Sequence, residues 1–317
     1  LHRLIRRQRQ MCIRDRERNK NWRMSDETLE NYIRQHIAAQ SGDAVTFAWQ
    51  GGEPTMMGLP FFRRVVELCG QYANGKKIEH ALQTNGVLVD EEWARFFAEQ
   101  GFLVGLSIDG PAHLHNQYRV NRAGKGTHEK VVAAMALLKA HNVEFNTLTV
   151  VGKHNVDHAR EVYDFLLAAG SRYMQFIPLV ERMSSDASAP LQLVLPGESA
   201  ARLAPWTVPS WQFGEFLNQI FDIWVRRDVD RVYVQMFDVA LAAWTGQPPV
   251  LCVHSPTCGH AFALESNGDL YNCDHFVYPE HKLGNIHQQS IHELNNSEQA
   301  IACLLYTSPS PRDSTSS

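Results

Sequence analysis

Three cysteines late in the chain have the type and spacing to do metal chemistry. Cys252 and Cys258 flank a proline-containing turn, and Cys273 falls on the far strand of an expected hairpin. Soft thiolates gathered on one side of a small loop suit an iron–sulfur cluster or zinc. The bland alternative is three buried cysteines packed as small hydrophobes. Asp274 follows Cys273 directly, so a carboxylate stands at the same place, as a general base or as a hydrogen-bonding group at the hairpin end. Cys69 differs, because it sits beside Val65, Val66 and Leu68 in a helical pattern and reads as core.

The second stretch with chemistry in it is VTFAWQGGEPT, residues 45–55. A short β-branched and aromatic run, Val45 to Trp49, ends in Gln50, Gly51, Gly52 and Glu53. The glycines let backbone approach a ligand closely, while Pro54 removes a donor and fixes the exit direction. An ordinary strand-to-helix turn is the competing reading. The rest of the chain decides between them.

To position such residues the chain repeats strand, turn and helix. Strands are expected at 45–49, 78–83, 102–107, 143–151 and 173–177, with helices at 60–73, 90–100, 127–141 and 156–169 between them. Before the first strand, Ser25 caps a helix that carries Leu29, Tyr32, Ile33 and Ile37 on one face. That alternation is the signature of a parallel α/β fold. The polar stops QGGE, QTNG, SIDG and the segment after FIP all fall at strand C-termini, the face on which parallel sheets and barrels bind ligands. After Arg182 the pattern gives way to a Ser/Ala/Pro-rich connection and helices near 210–227 and 236–244. Asn267-Gly268 between FALES and DLYNC signals a two-residue hairpin.

Bulk properties bound the answer. A 44% hydrophobic content supports a real core, and no run approaches the roughly 20 apolar residues of a membrane span. With no apolar leader core either, a cytoplasmic protein is expected. Residues 1–23 carry nine Lys/Arg against Asp15 and Glu17, and residues 302–317 are balanced, which leaves about −11 on residues 24–301. An acidic body argues against a nucleic-acid surface. The head and tail contain MCIRDR and LLYTSPSPRDS, strings that resemble translated adapter sequence at the ends of unrelated environmental proteins, and both ends are expected to be artefact or disorder. The division that follows is a head at 1–23, a barrel at 24–182, a helical connection at 183–249, a cysteine-rich segment at 250–301 and a tail at 302–317.

WQGGEPT, LQTNG, GLSIDGPAHLHNQYRVNRAGKGTHEKV and CVHSPTCGHAFALESNGDLYNCDHFV together resemble radical S-adenosylmethionine (SAM) enzymes with a SPASM extension. Within these the likeness is nearest to anaerobic sulfatase-maturating enzymes. The resemblance implies a partial (β/α)6 barrel, lacking its first strand here, followed by a truncated SPASM-like region. It implies SAM and [4Fe–4S] clusters as cofactors, a sulfatase polypeptide as substrate and flavodoxin or ferredoxin as electron donor. By this likeness Gln50, Gly51, Gly52 and Glu53 border the methionine end of SAM, while Ser107 and Arg119 hold its carboxylate. Val180 touches the nucleoside, Cys252, Cys258 and Cys273 ligate an auxiliary cluster, and Asp274 is the proton acceptor. Without the family match, Arg119 reads as a solvated surface charge. The implied reaction takes a hydrogen from Cβ of a Cys or Ser, then a proton and an electron, ending as formylglycine.

The sequence departs from the family in two respects. The family's later cysteines, which complete the first auxiliary cluster and build a second, should lie beyond Ser297, and only Cys303 does. The chain also contains no CxxxCxxC, the three thiolates that leave one iron open to SAM; Cys12 stands alone in the head and Cys303 in the tail. The chain as written is therefore expected to be an inactive fragment of an active parent. Two other readings stay open: a SPASM maturase of a ribosomal peptide, and a catalytically dead SAM- or peptide-binding protein.

Overall fold

A computed structural model describes residues 23–184, 201–248, 251, 254, 261–274 and 277–306. Its main sheet has six strands in the order β1-β2-β3-β4-β5-β8. The first five are β1 (Ala44–Trp49), β2 (Lys77–Thr84), β3 (Phe102–Ser107), β4 (Phe145–Val151) and β5 (Tyr173–Pro178). Pairings from β2 to β5 are parallel and in register, for example Leu82 beside Val104 and Leu106 beside Thr147. The parallel α/β sheet read from the strand–helix alternation is what forms.

The local signals act as expected. Ser25 Oγ accepts from Thr28 N at 3.1 Å and starts the helix Asp26–Ala39, which buries Leu29, Ile33 and Ile37. Asp90 caps Glu91–Gln100 through Trp93 N at 3.0 Å, and Gly101 ends it in the left-handed region at φ +64°. That helix buries Trp93, Phe96 and Phe97; truncating a buried Phe such as Phe97 to Ala typically costs ~3–5 kcal/mol.

Two compact units divide the chain. One comprises Ala48–Met56 and His80–Asp238. Its core packs Leu106, Val131, Val162, Tyr163 and Phe176 with Phe216, Ile220 and Trp224 of the helix Ser210–Arg227. Here the sixth strand, β8 (Tyr233–Val234), runs parallel to Tyr173 and Met174. The connection after Arg182 is not wholly irregular, because β6 (Arg182–Ser184) pairs antiparallel with β7 (Ala201–Leu203).

The other unit includes, among the described residues, 23–47, 57–79 and those between 239 and 306. It carries a three-stranded antiparallel sheet in the order β11-β10-β9, built from β9 (Ala263–Leu264), β10 (Asp269–Tyr271) and β11 (Lys282–Asn285). The expected hairpin forms, but its loop has three residues, not two. Glu265 N bonds Asp269 O at 2.9 Å and Gly268 N bonds Glu265 O at 2.9 Å, so Ser266, Asn267 and Gly268 make the turn. Gly268 takes φ +86°, the glycine position of three-residue hairpins. Leu270, Ile286, Ile291 and Leu294 form a small core there with Tyr32 and Ala39 against it. Among the described residues, no helix is long and apolar enough to cross a membrane.

Candidate active site

The polar stops at the strand ends turn out to be clasps between neighbouring strands. Glu53 Oε1 accepts from Thr84 Oγ1 at 2.6 Å, Thr55 Oγ1 at 2.6 Å and Thr55 N at 3.2 Å, and Glu53 Oε2 accepts from Asn85 N at 2.7 Å. The carboxylate after the two glycines therefore locks the end of β1 to the end of β2. Gly51 and Gly52 stand just before it, exposed, at φ +90° and +59°. A Cβ on Gly51 would meet nothing within 4 Å, so backbone conformation rather than crowding is what requires glycine. The backbone of 50–52 is thus open, with Gln50 exposed beside it.

One strand pair further on, Asp109 does the same work. Its Oδ1 accepts from Val150 N at 3.1 Å and Arg119 Nη2 at 2.8 Å, while Oδ2 accepts from Arg119 Nε. Arg119 is thus a buried, forked ion-pair partner, with its side chain 10% exposed and that of Asp109 5%. The surface-charge reading of Arg119 is overturned. A relay holds its loop in place. Asp109 N donates to His115 Nδ1 at 3.3 Å, which leaves His115 Nε2 to donate to Thr127 Oγ1 at 3.1 Å, and Thr127 Oγ1 donates to Arg119 O at 3.0 Å. Asn155 completes the staple, because its Nδ2 donates to Val150 O at 2.9 Å and its Oδ1 accepts from Gly152 N at 2.9 Å.

Ser107 ends β3 half-buried. Val180, 60% exposed, follows Leu179, whose N–H bonds Val151 O at 2.8 Å and carries the β4–β5 pairing past the strands. Beside it, Glu181 accepts from Trp206 Nε1 at 2.6 Å, and burial pushes its carboxyl up. Gln50, Gly51, Gly52, Glu53, Ser107, Arg119 and Val180 all belong to one compact unit; all but Arg119, which ends the helix Ala112–Tyr118, lie at or just beyond a strand C-terminus.

Sequence reasoning missed Asp109, Asn155 and His154 here. Asp109 lay in the SIDG stop, but its partner Val150 is distant in sequence; Asn155 lies just beyond β4 and bonds locally, to Val150 O and Gly152 N. His154 is different in kind, since both ring nitrogens are buried without a hydrogen bond among the described residues. Burial pushes its imidazole down to about 4, so it is neutral at physiological pH.

In the other unit, Cys273 follows β10, half-buried and free of any disulfide, with its Sγ 3.4 Å from Asp274 Oδ1. Asp274 is exposed, so the shielding expected of a base is not supplied by the described residues. Cys252 and Cys258 lie outside the described residues. Cys69 is buried, and burial pushes its thiol up to about 12, as a core cysteine requires.

Residues 10–166 match the Radical SAM superfamily, and residues 256–314 match the SPASM iron-sulfur cluster-binding domain. The chain is 43% identical over 276 residues to the serine-type anaerobic sulfatase-maturating enzyme of Bacteroides thetaiotaomicron, an alignment covering 87% of this chain and 67% of that protein. Against the cysteine-type enzyme of Clostridium perfringens (strain 13 / Type A) it is 35% identical over 274 residues, covering 86% and 70%. The solved structure of native anSMEcpe with bound AdoMet superposes with a TM-score of 0.79 and 33% identity, over 89% of this chain and 73% of that one. Streptococcus suis SuiB bound to S-adenosylmethionine gives a TM-score of 0.59 at 13% identity, a likeness of fold alone. The chain spans about two thirds of the length of the curated relatives it matches.

Proposed function

The chain belongs to the anaerobic sulfatase-maturating enzymes of the radical SAM superfamily, and from that premise we propose that the parent protein oxidises Cβ of a sulfatase Cys or Ser to formylglycine. The observation that carries this is the 43% identity extending over 87% of the chain, strand ends and hairpin included. SAM and [4Fe–4S] clusters, when bound, supply abstraction of a hydrogen atom from an unactivated C–H bond and acceptance of the remaining electron.

The strand-end residues fit SAM on their own geometry. Open backbone at Gln50, Gly51 and Gly52 offers carbonyls to an ammonium group. Glu53 holds that backbone still, because its carboxylate bonds join the β1 and β2 ends. Asp109 takes Nε and Nη2 of Arg119, and among the described residues no hydrogen bond engages Nη1. That nitrogen, fixed by a buried partner, is suited to a carboxylate. Ser107 Oγ at the end of β3 is the second donor we assign to that carboxylate, and Val180 offers apolar surface to the nucleoside.

Cys273 is assigned to an auxiliary cluster with Cys252 and Cys258. Asp274 is assigned the proton of the substrate Cβ–S–H or Cβ–O–H group, leaving a thioaldehyde or aldehyde. A flavodoxin or ferredoxin as electron donor and a reducing cytoplasm complete the reading; thiolate ligands persist in such a compartment.

The test is anaerobic reconstitution of the full-length protein with SAM, reductant and two sulfatase-derived peptides that differ only in Cys or Ser at the target. Formylglycine by mass spectrometry in either peptide supports the proposal. SAM cleavage with a cross-linked ribosomal peptide and no formylglycine would move the assignment to a peptide maturase.

A further inference from the structure

A second constellation of ligating side chains lies on the surface of the parallel-sheet unit, and the SAM-site reading does not use it. His113 belongs to the helix Ala112–Tyr118, His158 directly precedes the helix Ala159–Ala168, and Glu161 stands in the first turn of that second helix. One carboxylate faces both rings. His158 Nδ1 is 3.0 Å from Glu161 Oε2, and His113 Nε2 is 3.4 Å from Glu161 Oε1. The two rings meet steeply, with centroids 6.0 Å apart and planes at 76°. One donor atom from each residue lies within 4.8 Å of the other two.

A surface His–Glu contact is usually an ordinary ion pair that contributes little. The donor types here point elsewhere. Two imidazoles and a carboxylate make the nitrogen–oxygen set of borderline divalent ions, whereas calcium and magnesium take oxygens. The spacing agrees, because ligand atoms on a tetrahedral zinc ion with bonds of about 2.0–2.1 Å stand about 3.3–3.4 Å apart. Backbone anchoring agrees as well. His113 adjoins Leu114, His158 adjoins Ala159, and Glu161 adjoins Val162, and all three neighbours are buried in one core. The side chains of His113, His158 and Glu161 are themselves 57%, 44% and 45% exposed. An ion reaches them from solvent without disturbing that core.

We propose that His113, His158 and Glu161 bind one divalent ion of the zinc class, with His113 Nε2, His158 Nδ1 and a Glu161 oxygen as ligands and water completing the tetrahedron. A carboxylate only accepts, so His158 Nδ1 carries the proton in its contact with Glu161. On binding, the ion takes that nitrogen, and the ring proton passes through solvent to Nε2. Small rotations of exposed rings close the remaining distance. The ion ties the helix that ends at Arg119 to the helix that follows β4, a cross-link separate from the Asp109–Arg119 pair. Neither this inference nor the SAM-site reading depends on the other.

The experiment measures Zn²⁺ by anaerobic equilibrium dialysis on the full-length, cluster-reconstituted protein, beside His113→Gln, His158→Gln and the double variant. Both substitutions lie on the surface, so folding and iron content should match the wild type. We expect the wild type to hold one more zinc per chain than the double variant, and excess Mg²⁺ to leave that zinc in place. Each single variant should bind it at least about tenfold more weakly. Zinc K-edge absorption of the wild type should show imidazole and oxygen neighbours for the extra ion, with no sulfur. Equal zinc in the wild type and the double variant overturns the inference. A sulfur shell does so too, because it places the ion on cysteines. Loss in His158→Gln with wild-type affinity in His113→Gln also overturns it, since the ion would then sit on one helix and bridge nothing. Should a glutamine variant fail to fold, the absorption spectrum of the wild type decides alone.

Discussion

The strand ends of the parallel sheet and the Cys273–Asp274 segment both present carboxylates, yet they are built in opposite ways. Glu53 accepts four hydrogen bonds and Asp109 three, from strands or loops that the fold brings together. Asp274 is exposed, beside a half-buried thiol 3.4 Å away. The first region is held by these hydrogen bonds, so its backbone and the Arg119 guanidinium are fixed by the fold itself. Thiolate sites draw their organisation from the metal that binds them. The first region is therefore written into the fold, and the proposed assignment of Cys273 would make the second depend on cluster assembly.

The largest effect expected from that contrast is chemical. In the full-length protein Asp274→Asn keeps the shape of the side chain and removes its basicity, so formylglycine formation should fall ~10²–10⁴-fold, the usual scale for losing a general base. SAM cleavage should continue, giving 5′-deoxyadenosine without a matching aldehyde yield. Cys273→Ala should instead bleach part of the cluster's visible absorbance. Formylglycine at the parental rate from the Asn variant would make Asp274 a structural group, with His275 the next residue to try.

Next in size is the buried pair. Asp109→Ala strands the Arg119 guanidinium with its side chain only 10% exposed, and breaking a buried ion pair in this way costs ~3–5 kcal/mol. The denaturant midpoint should fall accordingly while the hairpin around Asn267 keeps its amide protection. A near-zero loss would mean that Arg119 reaches solvent easily and that the strand ends are less preorganised than their contacts imply.

Strong periodicity and good punctuation made most of the fold legible. Strand β3 and the helix Ser210–Arg227 fall where the pattern puts them, and other bounds shift by a few residues. Strand β8 was not legible, because two residues carry no period; Tyr233 finds its place by stacking on Tyr173 at 5.0 Å. At the site, residue types announced a ligand-binding edge but not who holds whom. That Glu53 clasps β2 was not legible, because its partners, Thr84 and Asn85, are some thirty positions away. Arg119 looked exposed because nothing local reveals that Asp109 folds back onto it. An orphaned side chain such as His154 has no sequence signal at all, since being unpartnered is a property of the packed site.

A smaller loss is expected from Glu53→Gln. The amide can keep one oxygen in place, but its –NH₂ would then point donors at Thr55 and Thr84 or at Asn85 N. Losing a charged acceptor of this kind costs ~1–3 kcal/mol. Hydrogen exchange should quicken at Asn85 and Gly86 first, while Arg119 keeps its partner. Uniform acceleration across the sheet would show that the clasps are not independent.

The smallest effect concerns the second region's own anchor. Asp269, at the start of β10, accepts from Asn285 Nδ2 at 2.9 Å and Lys282 Nζ at 2.6 Å, and Asn267 Nδ2 lies 3.0 Å away. Burial alone would raise its carboxyl; the hydrogen bonds from Lys282, Asn285 and Asn267 outweigh it, so the group sits below the ordinary Asp range. A carboxyl depressed in the folded state binds its proton more readily when unfolded. Its stabilisation is therefore complete above about pH 4, the unfolded Asp value, and drains away as pH falls below that through the folded value. Amide exchange at Gly268 and Asn285 should be constant from pH 7 to about 4.5, after correction for intrinsic rates, and should speed up below about 4. Asp269→Asn should remove that acid-side step and leave a hairpin already loosened at pH 7. A step that persists in the Asn variant would assign the acid sensitivity to another carboxylate, and the hairpin would then have no polar anchor to set against the clasps of the parallel sheet.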